Sequence, residues 1–214
     1  MAQGQKEINL EHFTEVNFEG SAQWVLIPSD IEKLVIVSDN EDVFNYVDND
    51  IKGGVLTIST TDKNKNITKL FKSVTIKVYF KTIESVSLSG VGSVKTEEMF
   101  QAKDLTATLK GTGNMHLKVQ CSNFIGNMQG TGALFAKGTS DESVVRVEGV
   151  GSFEGYDFIS TDMNVTVSGV GGAKVFASNR LTATINGVGS IRYKGEPETK
   201  NLNTNGLGSI KRSN

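Results

Sequence analysis

Few side chains in this sequence are of a type and spacing that could do chemistry. It has two histidines, His12 and His116, and one cysteine, Cys121. The histidines are 104 residues apart, and neither has a second histidine at metal-ligand spacing. A lone cysteine excludes an intramolecular disulfide framework and a multi-cysteine zinc site. It is expected to be a small buried or semi-buried residue. Two acidic clusters, Asp39-Asn40-Glu41-Asp42 and Asp48-Asn49-Asp50, have the oxygen density that calcium requires. Their spacing fits no EF-hand loop, so solvated turns are expected. No Gly-x-Ser-x-Gly nucleophile elbow is present.

Charged side chains near a set of glycine pairs are the remaining candidates: Arg146, Glu148, Glu154, Lys174 and Arg192. A carbohydrate-active enzyme would need such carboxylates clustered in a groove. Arg146 and Glu148 are two residues apart and are expected on one outward face, where a surface ion pair accounts for them. His116 is one residue out of the apolar phase and is expected to face solvent. The sequence therefore assigns no catalytic residues, no metal ligands and no cofactor, and it leaves the binding residues open.

The elements that position these groups are set by a repeat. Gly-x-Gly occurs with first glycines at Gly90, Gly111, Gly130, Gly149, Gly169, Gly187 and Gly206, at steps of 21, 19, 19, 20, 18 and 19 residues. A dinucleotide fingerprint needs a third glycine three residues on, opening a helix. Gly149-Val150-Gly151-Ser152-Phe153-Glu154-Gly155 misses that spacing by one residue. The calcium-binding nonapeptide repeat would need a regular aspartate.

Two residues before each pair stand Leu88, Leu109, Met128, Val147, Val167, Ile185 and Thr204. Four residues after the first glycine stand Val94, Met115, Leu134, Phe153, Ala173, Ile191 and Ile210. Polar residues alternate with these, which is the pattern of strands with one buried face. A unit of about 20 residues cannot bury its own core, but stacked units can.

The expected fold is all-β: a parallel β-helix of about seven coils marked by Gly-x-Gly over 83–214, preceded by an N-terminal β cap with first coils over 1–82. Right-handed winding is expected from the crossover rule. An all-β sandwich would not explain one glycine pair per unit at constant phase. The residues between the glycines are Val91, Thr112, Thr131, Val150, Val170, Val188 and Leu207. Corners commonly break the alternation, so this column is expected to turn inward. Outward, it would be an apolar stripe suited to self-association.

Within the first part, strands are expected at 23–27, 33–37, 55–59 and 73–80, a hairpin turn at Lys52-Gly53-Gly54 joining strand segments 44–51 and 55–60, and a polar loop at 61–66. Ala2-Gln3 resembles a pair straddling a signal cleavage site behind an added Met1, although an ordinary loose start explains it equally. There are 22 basic and 24 acidic residues, for a net charge of −2. Without a basic excess, nucleic acid is not an expected partner. No apolar run is long enough for a transmembrane helix.

The segments Phe13-Thr14-Glu15-Val16, Gly53-Gly54-Val55-Leu56-Thr57-Ile58, Ile83 to Gly90, and Ile191-Arg192-Tyr193-Lys194-Gly195-Glu196-Pro197 occur in this order across nearly the whole chain. In these the sequence resembles the bacterial putative auto-transporter adhesin family with its head GIN domain. The resemblance implies a β-helical domain in exported or envelope-associated proteins, some of them lipoproteins, without established catalytic residues. A periplasmic, outer-membrane-associated or secreted location follows as an expectation. A lipoprotein of the family would be expected to carry an acylated cysteine at its mature N-terminus, and none stands in the first residues given, so lipid anchoring is left open. The expected function is non-enzymatic binding or adhesion through the lateral face, to a glycan or protein on a cell surface. The alternatives are a polysaccharide lyase or hydrolase on the same fold and a self-associating structural module that forms homo-oligomers.

Overall fold

The computed structural model describes residues 4–60 and 74–214. The polar loop expected at 61–66 and the Ala2-Gln3 pair lie outside the described residues.

The chain winds as a parallel β-solenoid, and strands one repeat apart pair along the rod. Thr112–Met128 pairs in parallel with Thr131–Val147, which pairs with Val150–Val167, which pairs with Val170–Ile185. The glycines stay in register throughout: Gly92, Gly113, Gly132, Gly151, Gly171, Gly189 and Gly208 form one column. The alternating apolar residues fill the interior. Leu88, Leu109, Val147, Val167 and Ile185 are fully or almost fully buried, as are Val94, Met115, Leu134, Phe153 and Ile191. Each large apolar side chain sequestered this way contributes about 1.5–3 kcal/mol.

The corners require glycine for reasons of space. A Cβ on Gly130 would lie 1.9 Å from the Gly111 carbonyl oxygen, and one on Gly132 would lie 1.8 Å from that of Gly113. Gly132 also has φ +134°, a region that side-chain-bearing residues rarely adopt. The close approach lets the corner backbone continue the ladder: Thr131 N–H donates to Gly111 O at 3.0 Å and Val150 N–H to Gly130 O at 3.0 Å. A second turn buries serine hydroxyls in two successive coils, at Ser140 and Ser160. Ser140 Oγ donates to Ser122 O at 3.1 Å, and Ser160 Oγ to Asp162 O at 2.8 Å.

The column between the glycines does not turn inward, contrary to expectation. Val91, Val150, Val170, Val188 and Leu207 are 50–74% exposed. Alternation persists through the corner because the flanking glycines have no side chains that would force the chain to reverse its facing.

The N-terminal part contributes levels to the same stack, out of chain order. Glu15–Glu19 and Ser21–Pro28 lie directly against Ser85–Leu88 and Val91–Thr96. On their other side they pair in parallel with Val55–Thr60 and Thr75–Phe80. Gly20-Ser21-Ala22 is thus a further corner in phase with the repeat: Val91 N–H donates to Gly20 O at 2.7 Å, and Ala22 stands opposite Gly92. Phe18 and Trp24 occupy the matching core positions and stack at 4.7 Å.

The cap at this end is antiparallel. Lys33–Ser38 pairs with both Thr75–Phe80 and Gly4–Asn9, and Val47–Lys52 forms a hairpin with Val55–Thr60 through Gly53-Gly54. Both turn glycines have positive φ, as a tight two-residue hairpin needs. Residues 44–46, expected as strand, instead end a 3-10 helix, Glu41–Tyr46.

The opposite end is closed by chemistry. In the last coil, Lys200 stands at the position of Leu181 and Arg212 at that of Tyr193, so two cations occupy columns that are apolar in the preceding coil. Leu202 in the same coil is 43% exposed. Inward-phase charge on an edge strand opposes further pairing.

Leu109→Asp or Val167→Asp is expected to abolish cooperative folding, because each places an unpartnered carboxylate in the dry interior; circular dichroism melting would show it, and parent-like melting would refute this core phase. Gly132→Ala is expected to cost roughly 2–5 kcal/mol by urea titration, from backbone strain and overpacking together. Lys200→Leu with Arg212→Val is expected to raise self-association above that of the parent in sedimentation velocity runs.

Candidate functional site

The repeat is least regular in the strand Val150–Val167, and a groove lies there. Along this strand, Glu154 pairs with Lys174 but Ile159 pairs with Phe176, so five steps on one strand face two on the next. The surplus residues form a bulge that includes Tyr156 and Asp157. Bulges re-aim side chains and are frequent beside functional sites.

The resulting groove has a volume of about 480 Å³ and is lined by His116, Lys118, Phe135, Lys137, Glu154, Tyr156, Asp157 and Lys174, among others. His116 and Phe135 are register partners on adjacent coils. Their rings stack at 4.3 Å with planes 3° apart, and Phe135 remains 36% exposed. Tyr156 is fixed from the far side: its hydroxyl is 2.6 Å from Ser213 Oγ, and Lys194 Nζ lies 5.0 Å from its ring centre. Ser213 is itself held by its N–H donating to Tyr193 O at 2.8 Å.

The groove carboxylates are partnered by lysines. Glu154 pairs with Lys174 at 2.9 Å and Asp157 with Lys137 at 3.1 Å. Exposed pairs of this kind contribute up to about 1 kcal/mol, so the lysines can exchange them for a ligand at small cost. Lys118 Nζ donates to Glu97 O at 2.9 Å. Partial burial against the groove lowers the His116 pKa from its ordinary value. Glycoside hydrolysis needs two carboxyl groups converging on one bond, whereas here each carboxylate is tied to a different lysine.

Of the charged residues singled out by sequence, the groove brings together Glu154 and Lys174. Arg192 pairs in register with Lys174 one coil further on. Arg146 and Glu148 are both exposed as expected, but Glu148 accepts a hydrogen bond from Gln129 Nε2 at 3.3 Å and lies outside the groove lining. His12 is elsewhere, 2.8 Å from Glu32. Cys121 is half-buried, and burial pushes its thiol pKa up to about 11.

The acidic clusters have structural partners. Asn40 accepts a hydrogen bond from Asp42 N–H at 3.0 Å, capping the 3-10 helix, whereas Asp48-Asn49-Asp50, expected as a turn, lies within the strand Val47–Lys52, where Asp50 pairs with Lys52. Among the described residues, no three histidine, cysteine or acidic groups are placed to hold a metal ion. Sequence reasoning missed Phe135, Tyr156, Lys118 and Lys137. Two signals pointed to them: an aromatic residue in a column that is elsewhere largely charged, and the 20-residue step from Gly149 to Gly169.

Fold and groove together define a β-solenoid protein with an open groove on its flank. The chain belongs to the family described as putative auto-transporter adhesin, head GIN domain, whose model matches residues 12–197. The same fold is found in a putative adhesin from Bacteroides fragilis NCTC 9343, with a TM-score of 0.91 and 24% identity over 99% of this chain and 97% of that one. Two proteins of Parabacteroides distasonis ATCC 8503 share it at a TM-score of 0.74 each. One is described as a putative adhesin at 20% identity and the other as a putative lipid binding protein at 23%, each covering 99% of this chain and 97% of theirs. No curated protein matches the chain. No helix among the described residues is long and apolar enough to cross a membrane.

The lowered His116 pKa fixes the sign of a pH effect. The folded state binds fewer protons than the unfolded state, so this group's contribution to stability is lost as pH falls below about 6.5. An NMR titration of the ring is expected to give a midpoint below that of a free histidine.

Proposed function

We propose that this chain is a non-enzymatic binding module of the exported or cell-envelope adhesion type, and that it holds its ligand in the groove between His116 and Lys174. The observation that carries this reading is the exposed Phe135 ring, stacked on His116 and flanked by lysines whose ion pairs are weak enough to exchange. Aromatic and apolar surface with a few placed polar groups is the usual make-up of a ligand site. Membership of a family described as adhesin supports the same reading.

A second reading is self-association through the flank. The outward valines Val150, Val170 and Val188 stand on successive coils, followed by Leu207, and form a continuous apolar ridge. Light scattering over a range of concentrations tests it, and a strict monomer at high concentration would exclude it.

The binding reading predicts that the purified protein is retained on intact bacterial or host cells, and that Phe135→Ala reduces retention at least tenfold without changing the melting temperature. Equal retention of parent and variant would exclude the groove as the site.

A further inference from the structure

The groove lies within a larger field of charge. Two outward columns run along this flank on either side of one buried column. The first holds Lys95, His116, Phe135, Glu154, Lys174, Arg192 and Lys211, each in register with the next. The second includes Glu97, Lys118, Lys137, Tyr156 with Asp157, Phe176 and Lys194. These columns carry seven cations against three carboxylates. That is a local excess of four positive charges on a chain whose net charge is −2.

We propose that the groove takes an acidic polysaccharide, a chain of uronate-type sugars laid along the rod; this rests on the binding-module reading above. Three features select that ligand chemistry. Coils about 4.8 Å apart present cations along the rod axis, which suits a polymer with recurring charge. Six of the seven cations are lysines, whose flexible stems let separate ammonium point charges reach carboxylates spaced along a polymer. The exposed side of Phe135 offers an apolar surface for the C–H face of a sugar ring, and Tyr156 walls the groove further along the rod. A polyanion bound by charge alone would have no use for the Phe135–His116 stack.

The test compares polygalacturonate with its fully methyl-esterified form, which keeps the backbone and removes the charge, and with poly-L-glutamate at equal charge concentration. Binding is read by calorimetry at two salt concentrations. The expected result is binding to polygalacturonate at least tenfold tighter than to either control and weakened by salt. Phe135→Ala and the double variant Lys137→Gln/Lys174→Gln should each lower it at least fivefold, with unchanged melting temperatures. Equal binding of the methyl ester would overturn the acidic class, and equal binding of poly-L-glutamate would overturn the saccharide. Absence of binding to all three would overturn the inference. Retention on cells that still depends on Phe135 would then show that the binding module stands with a different ligand; loss of both would bring down the two readings together.

Discussion

Everything in this molecule depends on how closely one coil approaches the next at the glycine corner. The carbonyl oxygen of each first glycine occupies space that a Cβ one coil on would need, at 1.8–2.2 Å from Gly90 through Gly206. That approach keeps the corner backbone hydrogen-bonded and holds successive coils in register. The interior columns then align residue on residue, and side chains of like character meet across every level. A single methyl group at one corner would disturb the ladder on both sides of it, because the contact is backbone to backbone and neither partner has a rotamer with which to yield.

The repeat made most of this legible. Strict alternation around a fixed glycine phase specifies which residues are inside for every coil from Gly90 to Gly187, since period and register are the same information once strands stack in parallel. The orientation of the valine between the glycines was misjudged because a corner was assumed to reset the alternation, and glycine corners do not. Gly20-Ser21-Ala22 was hidden for a different reason. It has Val16, Phe18 and Trp24 at the repeat's core positions, but it stands 70 residues before its neighbour in the stack, where a search at a step of 20 does not look.

The groove was legible only in part. Periodicity describes what is common to all coils, and a site on a solenoid is built from what is peculiar to a few. Glu154 and Lys174 drew notice as charges, whereas the wall that turns a flat flank into a groove comes from the bulge around Tyr156 and Asp157. That bulge changes the repeat step by one residue. The ring stack of His116 on Phe135 joins side chains 19 residues apart that become neighbours only after the coils are in register. Once the repeat is known, the departures from it are the more informative signal.

The threading of the N-terminal segment has a kinetic consequence. Each glycine coil meets its predecessor after about 19 residues of chain, but the level built from Glu15–Glu19 and Ser21–Pro28 must wait for Ser85–Leu88 and Val91–Thr96. Closing a loop of about 70 residues instead of 19 costs roughly 1 kcal/mol more in chain entropy, and contacts of longer sequence separation form more slowly. During synthesis the segment containing Trp24 and Leu26 therefore emerges well before the strands that cover one of its edges. The Gly-x-Gly coils can add one after another as they appear, so the molecule combines an end that assembles late with a body that grows by short steps.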